Sequence, residues 1–152
     1  MFNRWNASLE TGQVLMDLEH RFLFFLFRRL DVAVKTGNSH SAVNHVINEV
    51  IRFVEFHFAS EENIMRETSY PELAAHQALH AELLATLRVH ASKVAGRSEL
   101  PADLLLFINR WQVEHIAYHD QHVALYVRDS ATRPVAEDLY GEYLLPPTAI
   151  RA

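Results

Sequence analysis

The sequence predicts an all-α protein, an up-down-up-down antiparallel four-helix bundle with an N-terminal arm and a C-terminal tail. In four long segments, apolar residues recur every three or four positions, which is the period of an amphipathic helix. The connections between these segments are short, and short connections favour antiparallel neighbours. No strand-like alternation and no internal repeat interrupts the pattern.

Each predicted helix has a recognisable start or stop. The first begins at about residue 11 or 12, and Gly37 is a typical C-terminal stop just beyond it. Ser39 suits the N-cap of the second helix. Pro71 is expected in the first turn of the third helix and Pro101 in that of the fourth, where a missing N–H is harmless. The predicted helices therefore span about residues 11–35, 40–67, 71–95 and 101–129.

The length and composition exclude several classes of protein. The 152 residues suit one compact domain, with the bundle over residues 1–129 and the tail over residues 130–152. There is no cysteine, which excludes disulfides and thiolate metal sites, and the net charge of −5 gives no basic footprint for nucleic acid. The longest apolar run, residues 22–27, is too short to cross a membrane. With no signal-peptide pattern at the start, we expect a cytoplasmic protein.

The two ends of the chain differ from the helices. In the arm, Trp5 and Leu9 are expected to cover one end of the core. The tail has helix-breaking prolines on either side of a short amphipathic stretch, Leu139, Tyr140, Tyr143 and Leu144. One interpretation is a tail that is mobile or folded back on the bundle. The other is a docking segment for a protein partner.

Residues that bind metals stand in the apolar stripe of every predicted helix. They are His20, His57, Glu61, His76, His80 and His115. A core of uncompensated imidazoles and a carboxylate is unstable, and a bound metal removes that conflict. Imidazole and carboxylate without thiolate suit iron, zinc, manganese or copper. With an acid from the fourth helix the set has seven ligands, whereas one zinc needs about four, so two metals are predicted.

The spacing leaves the last ligand open between two residues. His119 lies four residues after His115 and is close to it on an ideal helix. Asp120 lies five residues after His115, about 140° around the axis. Spacing alone favours His119, whereas Asp120 requires a local π-type widening of the helix.

The sequence resembles the bacterial hemerythrins, a family of non-heme di-iron four-helix bundles that bind oxygen. The resemblance covers about residues 5–128, and the matching segments are TGQVLMDLEHRFLF, HFASEENIM, YPELAAHQALH and WQVEHIAYHD. All seven ligand positions of the family pattern are filled with the expected residue type, which selects Asp120 over His119.

The resemblance implies a particular division of the ligands. The three histidines of the third and fourth helices would hold one iron, and those of the first and second helices the other. Glu61 and Asp120 would bridge the irons together with a solvent-derived oxo or hydroxo group. One position then stays open on the iron with two histidines, and the resemblance implies that dioxygen binds there reversibly.

Apolar side chains around the open position are expected to exclude water. The candidates are Phe24, Phe53, Phe56, Trp111 and Ile116. The family usually has leucine directly after the helix-four tryptophan, whereas this chain has Gln112. Since Gln112 lies three residues before His115, it should share the inward face, where its amide would contact the bound ligand or admit water. The alternative is that it points away.

Two further acids near the ligands receive structural interpretations. Asp17 lies three residues before His20 and is a candidate acceptor for an imidazole N–H. Glu62, next to Glu61, is expected on the helix surface, either solvated or paired.

The leading functional hypothesis is a non-enzymatic oxygen-binding protein for storage, delivery or sensing. A di-iron oxidase, peroxidase or nitric-oxide scavenger on the same scaffold is the second, although the chain has none of the Glu-x-x-His pairs of ferritin-like di-iron enzymes. A third is an oxygen or redox sensor that signals through the tail. A structural zinc or heme site fits least, since heme-attachment motifs are absent and five histidines exceed what axial ligation needs.

Overall fold

The computed structural model describes residues 5–132 and residue 134. The described residues form helices and no strand: α1 (Val14–Lys35), α2 (His40–Glu67), α3 (Leu73–Ala95), α4 (Pro101–Glu114) and α5 (Gln121–Asp129). A short 3₁₀ turn, Ala7–Leu9, precedes α1, and a π-helical turn, His115–Asp120, joins α4 to α5. The fourth helical segment of the bundle therefore consists of α4, the π turn and α5, and it spans the residues predicted as one helix, 101–129.

The helices close into a bundle. α1 packs against α2, α2 against α3 and α3 against α4, and α1 also packs against α4. A large apolar cluster fills one half, with Phe27, Leu30 and Ile108 fully buried. A smaller cluster around Met16 and Met65 fills the opposite end. The predicted all-α four-helix architecture is confirmed, and the polar residues of the apolar stripes lie between the two clusters.

The start of α1 differs from the prediction by two or three residues. Gly12 has a φ of +82°, which a helix does not accommodate, and Gln13 then caps α1 by accepting a hydrogen bond from the Met16 N–H at 2.9 Å. The Asp17 carboxylate accepts hydrogen bonds from the N–H groups of Thr11 (2.8 Å) and Gly12 (3.0 Å). The prediction that Asp17 accepts from an imidazole is therefore wrong, because this carboxylate fixes the turn that leads into α1.

The other helix ends follow the sequence signals closely. Ser39 Oγ caps α2 by accepting from the Ala42 N–H at 3.2 Å, and Pro101 is the first residue of α4. Gly37 has a φ of +72° just beyond α1, as its predicted role as a stop requires. Pro71 instead lies in the turn before α3, so that helix begins two residues later than predicted.

The arm covers one edge of the core, in agreement with the prediction. Leu9 is buried against Phe24 and Ile116. The Trp5 ring meets the Phe24 ring edge-on, with ring centroids 5.5 Å apart. The predictions for the tail lie outside the described residues, apart from residues 130–132 and the buried Pro134. None of the described helices is long and apolar enough to span a membrane.

Candidate metal centre

The structure brings all seven predicted ligand residues together in the middle of the bundle, and all seven are buried. Their nitrogen and oxygen atoms form two groups, each with its atoms within 4.8 Å of one another. Asp120 belongs to both groups. One group is Glu61, His76, His80, His115 and Asp120, and the other is His20, His57 and Asp120.

Three imidazoles converge in the first group. His80 Nε2 lies 2.9 Å from His76 Nε2 and 3.1 Å from His115 Nε2. His80 Nδ1 lies 3.1 Å from a Glu62 oxygen, so it carries the ring proton and leaves a lone pair on Nε2. Three ring nitrogens that face one another in this way form a suitable set of metal ligands.

The two carboxylates lie between the groups. One oxygen of Asp120, Oδ1, is 3.1 Å from His115 Nε2, and the other, Oδ2, is 3.0 Å from His20 Nε2. Glu61 Oε2 lies 3.4 Å from His80 Nε2 and 4.0 Å from His57 Nε2. Each carboxylate thus faces ligand histidines of both groups, which is the placement that a bridge between two cations requires.

Buried atoms of the centre are left without hydrogen bonds. Both oxygens of Glu61 and of Asp120, and both ring nitrogens of His20, have no hydrogen-bond partner within residues 5–132 and 134. The short contact between His20 and Asp120 lacks hydrogen-bond geometry. Since unpaired buried carboxylates are very costly, bound cations account for these groups better than the protein alone does. The residues present therefore fit a pair of metal ions.

The imidazoles of the centre stabilise the negative charges of both carboxylates. Burial and the Asp120 charge both raise the pKa of Glu61, but the imidazoles of His76 and His80 outweigh them and hold this pKa at about 2. Burial likewise raises the pKa of Asp120, while His115 and His20 hold it well below its usual range. Both carboxylates are therefore ionised at neutral pH, as metal ligands must be.

The π-helical turn explains how Asp120 reaches the centre. In this turn, residues five apart come close to the same side of the helix, whereas four apart is the α-helical rule. Asp120 is buried and faces the histidines, while His119 is exposed. The preference for His119 from ideal periodicity is wrong here, because that periodicity does not include the widened turn.

Two glutamates that orient ligand histidines were missed or misplaced by sequence reasoning. Glu19 is buried and lies 2.9 Å from His57 Nδ1, and it also accepts from Ser60 Oγ at 2.7 Å. Glu62 pairs with Arg66 at 3.1 Å on the helix surface, as expected, but it also holds His80 Nδ1 and accepts from Gln77 at 2.7 Å. Such acceptors fix the tautomer and orientation of a ligand imidazole. A signal for Glu19 existed, since it continues the spacing of Met16 and Leu23 along α1.

The apolar surroundings agree only in part with the prediction. Phe24, Trp111 and Ile116 are buried; the Trp111 ring lies 6.5 Å from the His115 ring, and Phe24 and Ile116 pack together with Leu9. Phe56 is 57% exposed, so its predicted place in the pocket is wrong. It directly precedes His57, and one residue turns a helix face by about 100°. Phe53 is half-buried and packs against Phe56, away from the ligands.

Phe58 takes the place that Phe56 was expected to fill. Its ring is buried and stacks on the His80 ring, with centroids 3.8 Å apart and an angle of 4° between the planes. It also contacts Trp111 and His115. The spacing from Val54 to Phe58 to Glu61 was the available signal for this position.

Gln112 is buried with 2% of its surface exposed, as its inward placement predicts. Neither amide atom has a hydrogen-bond partner in the described part of the chain. An amide in this condition costs about 1–3 kcal/mol unless a ligand or a water satisfies it. Gln112 is therefore an available hydrogen-bonding group on the inner face of α4.

The glutamate behind His57 leads to a test that needs no gas-binding assay. We expect Glu19→Ala to weaken iron affinity by about 10- to 100-fold, because His57 loses the acceptor that orients it. Ser60→Ala is the matched control, since it removes the other partner of Glu19 and leaves the contact with His57 in place. Competition with a chelator measures both variants. Equal affinity in Glu19→Ala and the parent would contradict this role.

A four-helix bundle with buried histidines and carboxylates placed to hold two cations defines a class of non-heme metal-binding proteins. The hemerythrin HHE cation binding domain matches residues 11–126. The chain therefore belongs to the hemerythrin family, whose members are di-iron proteins that bind oxygen.

Individual relatives agree with this assignment. The bacteriohemerythrin of Stenotrophomonas maltophilia is 29% identical over 140 residues, which cover 92% of this chain and 91% of the relative. That of Methylococcus capsulatus is 31% identical over 119 residues, which cover 77% and 90%. A crystal structure of a hemerythrin with a leucine-to-alanine substitution superposes with a TM-score of 0.76 at 29% identity. The match covers 83% of this chain and 98% of the hemerythrin chain.

Proposed function

We propose that this protein binds dioxygen reversibly at a pair of non-heme irons, for storage, delivery or sensing. The observation that carries the proposal is the convergence of five buried imidazoles on two buried carboxylates whose oxygens have no hydrogen-bond partner within the described residues. The bundle over residues 1–129 is the functional unit of this proposal. A cytoplasmic location and a role for the tail over residues 130–152 remain predictions.

The residues of the centre divide between the two irons. The imidazoles of α3 and of the π turn would hold one iron, and those of His20 and His57 the other, with Glu61 and Asp120 between them. Bound iron supplies the electrons and the vacant coordination position that dioxygen binding needs. Because His20 and His57 would give their iron one histidine fewer than the other iron would have, dioxygen would bind on the side of α1 and α2.

The remaining residues keep the centre in order. Glu19 and Glu62 hold the protons of His57 and His80 on Nδ1, so that Nε2 of each ring faces inward. Leu9, Phe24 and Ile116 form a buried apolar layer on the α1 side of the bundle. This layer would keep bulk water away from the metal centre. Excluding water would protect bound iron from irreversible oxidation, which a reversible carrier must avoid.

One observation favours a second candidate function, a di-iron oxidase, peroxidase or nitric-oxide scavenger. The unpartnered amide of Gln112 gives the inner face of α4 a polar group that can donate a hydrogen bond or hold a water. Either property promotes proton delivery to a bound ligand. The two candidate functions differ in whether oxygen leaves unchanged.

The deciding experiment follows metal content and the optical spectrum through one cycle of reduction, oxygenation and oxygen removal. Two irons per chain and a charge-transfer band that appears with oxygen and disappears on its removal are the expected results. Rapid irreversible oxidation would favour the enzyme. A preparation reconstituted with iron that still binds none, or that retains a single zinc, would overturn both.

A further inference from the structure

The outer surface of α1 and α2 carries a cluster of four phenylalanines, Phe22, Phe25, Phe53 and Phe56, here termed the aromatic face. The Phe22 ring lies 5.7 Å from Phe25 and 4.7 Å from Phe53, and Phe53 lies 5.8 Å from Phe56, measured between ring centroids. Phe25 and Phe56 are each 57% exposed and Phe22 is 47% exposed. A contiguous exposed apolar patch of this kind marks an interaction site on a folded protein.

The aromatic face continues along α1 as a regular stripe. Its residues follow one another at spacings of four and three: Leu18, Phe22, Phe25, Arg29 and Val32. The apolar members are all exposed, although α1 already buries its inward stripe in the core of the bundle. Alternating spacings of four and three form the seam through which one helix packs against another. Within the described residues, no helix covers this seam.

The apolar area matches what a stable interface between two copies needs. Three phenylalanines, each about half exposed, present roughly 300 Å². Val14, Leu18 and Val32 are also exposed and extend this area along α1. A standard interface buries about 800 Å² on each partner, and somewhat more than half of that is apolar. The stripe and the aromatic face together provide an apolar core of that order.

The charges at the rim suit a second copy of the chain. Arg29 forms an exposed ion pair with Glu49, and Arg52 lies on the same side of α2 without a salt bridge among the described residues. A rim with both signs is complementary to itself, whereas a rim of one sign would favour a partner of opposite charge. Arg52 and Glu49 therefore place opposite charges at the rim of the same face, as pairing between two copies requires.

From these observations we propose that the aromatic face is a two-fold interface at which two copies of this protein form a dimer. Such an interface uses the same patch on both copies and closes without exposing a further surface. This explains why the exposed phenylalanines of residues 5–132 all lie on one face. The proposal rests on α1 and α2 and does not depend on what the metal centre binds.

The first test compares oligomeric state across a range of concentrations by analytical ultracentrifugation. The iron-loaded parent is expected to form dimers, and Phe25→Glu to weaken the dimer by at least about 100-fold, because it places two like charges at the axis in place of apolar contact. Leu106→Glu is the matched control, since Leu106 is 69% exposed on α4, and it should leave the dimer unchanged. Circular dichroism and iron content establish that each variant is folded.

A second test uses the absence of cysteine in the chain. Phe25→Cys should give a covalent dimer under mild oxidation at low protein concentration, while Leu106→Cys should not. A parent that stays monomeric at every concentration would overturn the proposal. So would a dimer that survives Phe25→Glu, or equal cross-linking at both positions.

Discussion

Replacing Asp120 by alanine is expected to lower the iron content of this protein from two per chain to one or none. Each oxygen of Asp120 faces a histidine of a different ligand group, so one substitution removes a ligand from both irons. His119→Ala should keep both irons, because His119 is exposed and lies outside both groups. Comparing the iron content of these two variants therefore distinguishes the ligand, Asp120, from its neighbour on the same turn.

Iron per chain is measured by elemental analysis after reconstitution under anaerobic conditions. Circular dichroism of both metal-free variants shows whether the bundle forms, so that a loss of iron is not mistaken for a loss of fold. Loss of iron in His119→Ala with retention in Asp120→Ala would contradict the assignment and restore the choice that ideal helical spacing makes.

The second large effect is expected from Gln112→Leu. Its buried amide has no partner in the described chain, so leucine should stabilise the metal-free protein by about 1–3 kcal/mol. In the iron-loaded protein, leucine replaces this buried polar group on the inner face of α4 with an apolar one. We expect autoxidation of the oxygenated protein to slow by about tenfold.

Gln112→Met is the matched control, because methionine keeps the length of glutamine and lacks its amide. If both variants slow autoxidation, the polarity of Gln112 is the cause. If only leucine does so, the shape of the pocket decides. Denaturant unfolding of the metal-free proteins gives the stability change independently of oxygen. An oxygenated lifetime that is equal or shorter in Gln112→Leu would contradict this role.

The ligand histidines could be predicted because each interrupts a regular apolar stripe. His20 and His57 stand in line with leucine and valine, and such positions are costly without a common partner. The four-helix architecture followed from the same periodicity. The place of Asp120 did not, because a π turn is a local change in backbone pairing, and residue spacing on an ideal helix carries no sign of it. The family resemblance, in contrast, identified this residue.

The residues around the ligands were less predictable. Glu19 and Glu62 each lie next to a predicted ligand in the sequence. Adjacent residues on a helix point about 100° apart, so the position of the ligand does not predict where its neighbouring glutamate points. Each instead orients a histidine of a different helix, His57 on α2 and His80 on α3. Pairing between helices depends on how they are rotated against each other, and apolar periodicity fixes that rotation only roughly.

The widened turn at His115–Asp120 also determines which residues of α5 face the core. Before the turn, the buried positions of α4 include Ile108 and Trp111. After it, the buried positions of α5 include Val123 and Val127. The two series are offset by one residue relative to an unbroken α-helix. Regular α-helical pairing of the same residues would rotate α5 by about 100° and carry both valines away from the core. The one extra residue in the turn therefore serves metal ligation and the packing of the last helix at once, because both Asp120 and the two valines face the core only when the turn is widened.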